Sequence, residues 1–192
     1  MSSRSLATFQ KPIDARATTR KSGPCGPTDR HNDGRGSAVC SERSPQVFVH
    51  PFPHRYVVSS VTLPDGKVVL ESAGIPPLAT VTPPEFDGPG GEWSPETLLV
   101  AAVADCFLLT FRGISKASRM PWTRLSVECI GTLERPERYS RFTRFDIRAS
   151  LMLPADGSED QGRRILMRSE ETCLITRSLT AETHLEIEIA RI

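Results

Sequence analysis

The chain has 192 residues, of which 38% are hydrophobic and 24% are charged, and its formal net charge is +1. This composition is ordinary for a globular protein, and the near-neutral charge argues against a nucleic-acid or anionic-membrane partner. No uninterrupted apolar run reaches the roughly 18 residues of a membrane span. The N-terminus also lacks the apolar core of a signal peptide, so we expect a cytoplasmic protein.

Residues 1–45 are rich in Ser, Thr, Arg, Gly and Asp and show no apolar periodicity. Such a segment buries too little surface to offset its ordering entropy, so we predict a disordered extension here and one domain over residues 46–192. An over-extended translation start and a targeting extension are alternatives for this segment. Cys25 and Cys40 lie in it and are interpreted as incidental thiols.

The first predicted elements form a hairpin. Residues 54–63 and 67–73 are rich in valine and leucine and flank Pro64-Asp65-Gly66, which is turn chemistry. A connection rich in proline and glycine follows at residues 74–92, and a short third strand fits within it.

The clearest helix follows this connection. Ser94 is a good N-cap, Pro95 suits the first helical position, and Glu96 complements the helix dipole. Nearly every position from Leu98 to Ile114 is apolar or small. A helix that is apolar almost all round is buried on most sides, so we expect a central helix of a domain or of a dimer.

Alternation of apolar and polar residues predicts strands at 125–133, 141–153 and 184–189. Residues 158–172 read as a helix that ends just before Cys173, and residues 174–179 as a further short turn. Because strands and helices do not alternate regularly, an α+β fold is favoured over a doubly wound α/β fold.

Five cysteines without a signal peptide argue against a secreted disulfide framework. No spacing suggests a metal site, and no Gly-rich loop has the pattern of a phosphate or dinucleotide site, so we expect no cofactor. By residue type alone, Cys106 and Cys173 are ordinary small core residues. Cys129, in a predicted strand, is interpreted as structural.

Two segments change that interpretation. Residues 84–107 combine a Gly-rich loop, a Ser-Pro-Glu helix start at Ser94, and an Ala-rich turn that ends in Cys106-Phe107. Residues 170–179 place Cys173 ahead of a Leu-Ile-Thr-Arg-Ser-Leu stretch. Together these motifs closely resemble those of the superfamily of osmotically inducible protein C and the organic hydroperoxide resistance proteins. The resemblance covers roughly residues 54–190.

The resemblance implies an OsmC-like fold, with antiparallel sheets around long central helices in an intertwined homodimer. It implies a peroxidase that reduces organic hydroperoxides or hydrogen peroxide without a metal or a bound cofactor. Cys106 matches the peroxidatic cysteine, which attacks as a thiolate and becomes a sulfenic acid. Cys173 matches the resolving cysteine, which closes a disulfide that an external dithiol then reduces.

Glu96 matches a family glutamate that positions an arginine over the reactive thiol. Ten residues of helix rise about 15 Å, so Glu96 and Cys106 of one chain do not touch directly. In the hydroperoxide-resistance branch the arginine lies in the first hairpin turn, which has none here. Arg55 and Arg119 are the substitutes we consider, and Arg112 is expected to face away from Cys106.

Two other interpretations stay open. The chain has the family fold and both thiols but little peroxidase activity, and acts as a redox-responsive or small-ligand-binding protein. Otherwise it is a structural or interaction protein with two buried thiols. A full match to the family motifs would favour the peroxidase. Because the hairpin arginine is missing, the family member with little peroxidase activity gains weight.

Overall fold

A computed structural model describes residues 51–192. The predicted extension at 1–45, with Cys25 and Cys40, lies outside the described residues, so the boundary at residue 46 stays a prediction. From Phe52 onward the chain forms one compact unit.

The first sheet is antiparallel, with strand order β1-β2-β3, and comprises β1 (Ser59–Val61), β2 (Val68–Glu71) and β3 (Leu78–Thr80). The predicted turn lies between β1 and β2, where Gly66 adopts a φ of 106° that favours glycine. All three β1 residues are exposed, and β1 is shorter than predicted. Its one apolar residue, Val61, is 66% exposed.

Helix α1 (Pro95–Ala117) begins as predicted at Ser94. The Ser94 hydroxyl accepts the Thr97 amide at 3.2 Å, and the Thr97 hydroxyl accepts the Ser94 amide at 2.8 Å, so both backbone donors are satisfied. The first sheet is tied to this start because the Val81 amide donates to the Trp93 carbonyl at 2.9 Å.

The second sheet has the order β4-β5-β6 and comprises β4 (Arg124–Glu134), β5 (Arg141–Leu153) and β6 (Glu182–Arg191). β4 and β5 pair antiparallel, whereas β5 and β6 pair parallel, so this sheet is mixed rather than wholly antiparallel. Parallel neighbours need a long crossover, and α2 (Glu159–Thr172) supplies it. The strand and helix order confirms the α+β prediction.

The core lies between the second sheet and the two helices. Phe107 and Phe111 of α1 and Leu166 of α2 are fully buried against alternate residues of β5, from Phe145 to Leu153. Gly162 lets α2 approach β5 closely, because an added Cβ would come within 2.9 Å of Leu151 Cδ2. This packing fixes the position of both helices relative to β4.

Helix α1 is long and apolar enough to cross a membrane by length and composition, although the sequence offers no uninterrupted apolar run of that length. Its central residues Val103, Phe107 and Phe111 are buried against the sheet, as expected for a core helix. The prediction of burial on most sides is wrong for one chain, because Leu109 is exposed and most of the other apolar residues are only partly covered.

Two glycines provide a test of the backbone packing. A Cβ at Gly88 would overlap the backbone carbonyl of Thr82, whereas one at Gly113 would meet nothing within 4 Å. We expect Gly88→Ala to lower the free energy of unfolding by about 2 kcal/mol and Gly113→Ala to raise it by about 1 kcal/mol. Urea denaturation of the two variants measures both; equal effects would contradict the tight loop around Gly88.

Candidate functional site

Cys106 lies in the middle of α1, beside the buried residue Phe107. It is partly exposed, because it lies at the edge of the helix stripe that faces the sheet. The Thr110 hydroxyl donates to the Cys106 carbonyl at 2.7 Å, so the helix continues past the cysteine with this hydroxyl satisfied. The thiol is thus carried on a rigid element and remains open to small molecules.

Cys173 is the C-terminal cap of α2 and is fully buried. Its amide donates to the Glu170 carbonyl at 3.2 Å, and its carbonyl accepts the Arg177 amide at 3.1 Å. The chain turns here into a short 3₁₀ segment, Thr176–Ser178, where the sequence predicts a turn. The break in the helix directs Cys173 into the interior.

The structure brings the two thiols together. The Cys106 thiol is one of the causes of the raised pKa of Cys173, so the two side chains lie near each other. Burial raises the pKa of Cys173, and the contact with Cys106 raises it further. The amide of Thr176 lowers the pKa of Cys173, because it donates a hydrogen bond that favours the thiolate, and the Thr176 hydroxyl, which donates to the Cys173 carbonyl at 3.1 Å, acts in the same direction.

Cys129 of β4 is a third thiol of the described chain, and its position in a strand predicts a structural role only. Burial raises the pKa of Cys129 to about 11, with smaller contributions from the charges of Asp146 and Cys173. Only the helix-facing position of Cys129 within the alternation of β4 could have pointed to its burial from sequence.

Glu96 lies in the first turn of α1, away from the thiols. It lines a cleft of about 300 Å³ whose other walls are mainly apolar, including Phe86, Val100, Leu133 and Phe142. Its Oε2 atom is buried and has no hydrogen-bond partner within residues 51–192. A buried carboxylate oxygen without a donor is costly, so this cleft lacks a cationic or hydrogen-bonding partner for Glu96.

The arginines considered from sequence lie at the surface. Arg55, Arg112 and Arg119 are all exposed. Arg177, in the turn after Cys173, donates to the Glu171 carbonyl at 3.3 Å. Within the described chain, none of these four therefore accounts for the partner that Glu96 lacks.

The arrangement is suited to sulfur redox chemistry. The partly exposed Cys106 lies near the buried Cys173. A sulfenic acid on Cys106 would therefore have a thiol beside it with which to form a disulfide. Among residues 51–192, no group of three or more His, Cys, Asp or Glu side chains is placed to hold a metal ion.

Comparisons with known proteins agree with this architecture. The model of the family of OsmC-like proteins matches residues 88–188. The uncharacterized protein YmaD of Bacillus subtilis is 26% identical over 109 residues, which cover 55% of this chain and 73% of that protein.

Solved structures share the fold. An OsmC-like protein of unknown function from Vibrio cholerae has a TM-score of 0.65 at 16% identity, over 70% of this chain and 99% of that one. An organic hydroperoxide resistance protein OsmC from Legionella pneumophila has a TM-score of 0.59 at 17% identity, over 73% and 99% of the two chains. Because the family model spans more than half of the sequence and both motif segments fall largely within the shared fold, this chain belongs to the OsmC-like protein family.

Proposed function

We propose that the protein is a cysteine-dependent peroxidase that reduces small organic hydroperoxides or hydrogen peroxide in the cytoplasm. The observation that carries this proposal is the contact between a partly exposed Cys106 and a fully buried Cys173. Membership of a family that includes organic hydroperoxide resistance proteins supports the same chemistry.

The two thiols have different roles in this reaction, because Cys106 is partly exposed to solvent and Cys173 is buried. The Cys106 thiolate attacks the distal peroxide oxygen, the O–O bond breaks, and the alkoxide leaves with a proton as an alcohol. Cys106 is then a sulfenic acid. The Cys173 thiolate attacks its sulfur, the S–O bond breaks, and hydroxide leaves as water. An external dithiol reduces the resulting disulfide and is itself oxidised.

Glu96 fits this scheme as a positioning residue, and its unpaired oxygen calls for an arginine. A continuous helix separates it from Cys106 of the same chain by about 15 Å, so a second copy of the chain is needed to bring the two groups into one site. We propose that the arginine comes from a second copy of the chain and that Arg55, which lies in the exposed segment before β1, provides it. In this proposal Arg55 takes the role of the arginine that the hydroperoxide-resistance branch carries in its first hairpin turn.

The same proposal requires a homodimer. Exposed apolar residues in and before β1 include Val57, Val58 and Val61. On α1, Leu109 is exposed as well, and this helix carries more apolar side chains than one chain buries. Burying these surfaces against a second copy removes apolar area from water and places the first sheet over the partner's helix.

The peroxidase proposal predicts a defined thiol stoichiometry. Titration with cumene hydroperoxide, with Cys25 and Cys40 replaced by Ser, should consume the thiols of both Cys106 and Cys173. Cys106→Ser should abolish the consumption, and Cys173→Ser should leave a sulfenic acid that dimedone traps. Unchanged consumption in Cys106→Ser would refute the enzyme, and an inert wild-type protein would favour a family member that retains the fold without the activity.

The raised pKa of Cys173 predicts that disulfide closure depends on pH. Because the thiolate performs the attack, the rate at which the Cys106 sulfenic acid disappears should rise about tenfold per pH unit from pH 7 to beyond pH 9. Thr176→Val removes a hydroxyl that favours the thiolate, so it should slow closure at pH 7, whereas Thr176→Ser should retain the rate. Stopped-flow kinetics measure both; a rate independent of pH would contradict this assignment.

The dimer is tested by sedimentation velocity at micromolar concentration. Leu109→Glu places a charge on the exposed side of α1 and should convert a dimer into a monomer. Met167→Glu introduces the same charge on α2 at a similarly exposed residue and should leave the dimer intact. A wild-type protein that sediments as a stable monomer would contradict the shared site.

A further inference from the structure

The cleft beside Glu96, called here the Glu96 cleft, has an apolar wall that the protein core holds in place. Phe142 in this wall stacks on the fully buried Phe145, with ring centroids 5.3 Å apart. An added Cβ at Gly131 would lie 2.7 Å from Val100 Cγ2 and 2.8 Å from Phe142 Cε1, so these wall residues are closely packed. Mainly apolar, well-packed walls of this kind are typical of small-molecule sites.

A second cavity, of about 310 Å³, adjoins the Glu96 cleft. Pro83, Phe86 and Glu96 line both spaces, so they form the boundary between the two. Phe86 is 46% exposed and therefore offers part of its ring to a molecule that enters from solvent. Small-molecule sites range from about 300 to 1,000 Å³, so the Glu96 cleft lies at the lower end and suits a compact organic group.

The Glu96 cleft carries negative charge that its own walls do not balance. Glu85 and Glu96 both line it, whereas no Lys, Arg or His among residues 51–192 lines either this cleft or the adjoining cavity. Glu85 is exposed and forms no ion pair within the described chain. An arginine from a second copy that pairs with Glu96 neutralises one of the two carboxylates, and the charge of Glu85 remains.

We propose that the Glu96 cleft holds the organic group of the hydroperoxide and that Glu85 makes the site selective for uncharged substrates over carboxylate-bearing ones. This inference rests on the proposed peroxidase function and on its shared site. The apolar walls bind the hydrocarbon part, and the peroxide group extends toward Cys106 of the partner subunit. A carboxylate on the hydrocarbon part lies near Glu85, and repulsion between like charges in a surface cleft lowers kcat/KM by about tenfold.

The test compares three substrates of similar shape with the full chain and dithiothreitol as reductant: cumene hydroperoxide, its para-carboxylate derivative, and the methyl ester of that derivative. We expect kcat/KM for the carboxylate to be about tenfold below that for the ester at low salt. In about 1 M salt, where the screening length is about 3 Å, the difference should shrink. Equal values for the carboxylate and the ester at low salt would overturn the selectivity.

Two variants identify the residue responsible. Glu85→Gln removes the charge but keeps the size of the side chain, so the ratio of kcat/KM for the carboxylate to that for the ester should approach one. Asp87→Asn is the matched control, because Asp87 is exposed two residues further along and does not line the cleft. Its left-handed φ of 58° is one that Asn adopts readily. The wild-type ratio should persist in this variant, and its persistence in Glu85→Gln would contradict the role of Glu85.

Ligand binding separates this inference from the peroxidase itself. The inactive Cys106→Ser variant is titrated by NMR with the alcohol product of cumene hydroperoxide and with the para-carboxylate of that alcohol, and the carboxylate should bind about tenfold more weakly. A protein that reduces none of the three substrates but shows this difference in binding would sink the peroxidase and retain the cleft. Equal binding of the two alcohols beside normal turnover would overturn the cleft and leave the peroxidase standing.

Discussion

The contact between Cys106 and Cys173 depends on how α1 and α2 pack on the second sheet. Phe107, adjacent to Cys106, is fully buried, and Leu166 anchors α2 on the same core. Interiors of this kind are close-packed, so the helices have little freedom to slide past each other. The hydrophobic core that positions the two helices therefore also holds the two thiols near each other.

The end of α2 is the second constraint, because it determines that Cys173 points inward. The helix stops at Thr172, and Cys173 takes an extended backbone conformation, with φ −60° and ψ 117°. Had the helix continued, the short 3₁₀ turn would not form, and the amide and hydroxyl of Thr176 would not reach the thiol. Local backbone geometry therefore sets both the burial of Cys173 and the hydrogen bonds that oppose the effect of burial on its pKa.

Sequence patterns predicted the elements well where one residue controls a boundary. Ser94 caps α1 as predicted, α2 begins one residue after its predicted start at residue 158, and alternation located β4 and β5. The parallel pairing of β5 with β6 depends on register between distant segments, which no local pattern encodes. The pairing of Cys106 with Cys173 was available only through resemblance to a family, since both look like ordinary core residues in isolation.

In the proposed peroxidase, a buried resolving thiol with a raised pKa has a physical advantage. Thiolates are the species that peroxides oxidise, so a protonated and inaccessible Cys173 escapes direct attack while Cys106 is exposed to it. Its weak ionisation slows closure, yet contact with Cys106 compensates, because an intramolecular partner is present at a high effective concentration. In the proposed reaction, burial therefore lowers the intrinsic reactivity of Cys173 but makes it selective for the sulfenic acid formed beside it.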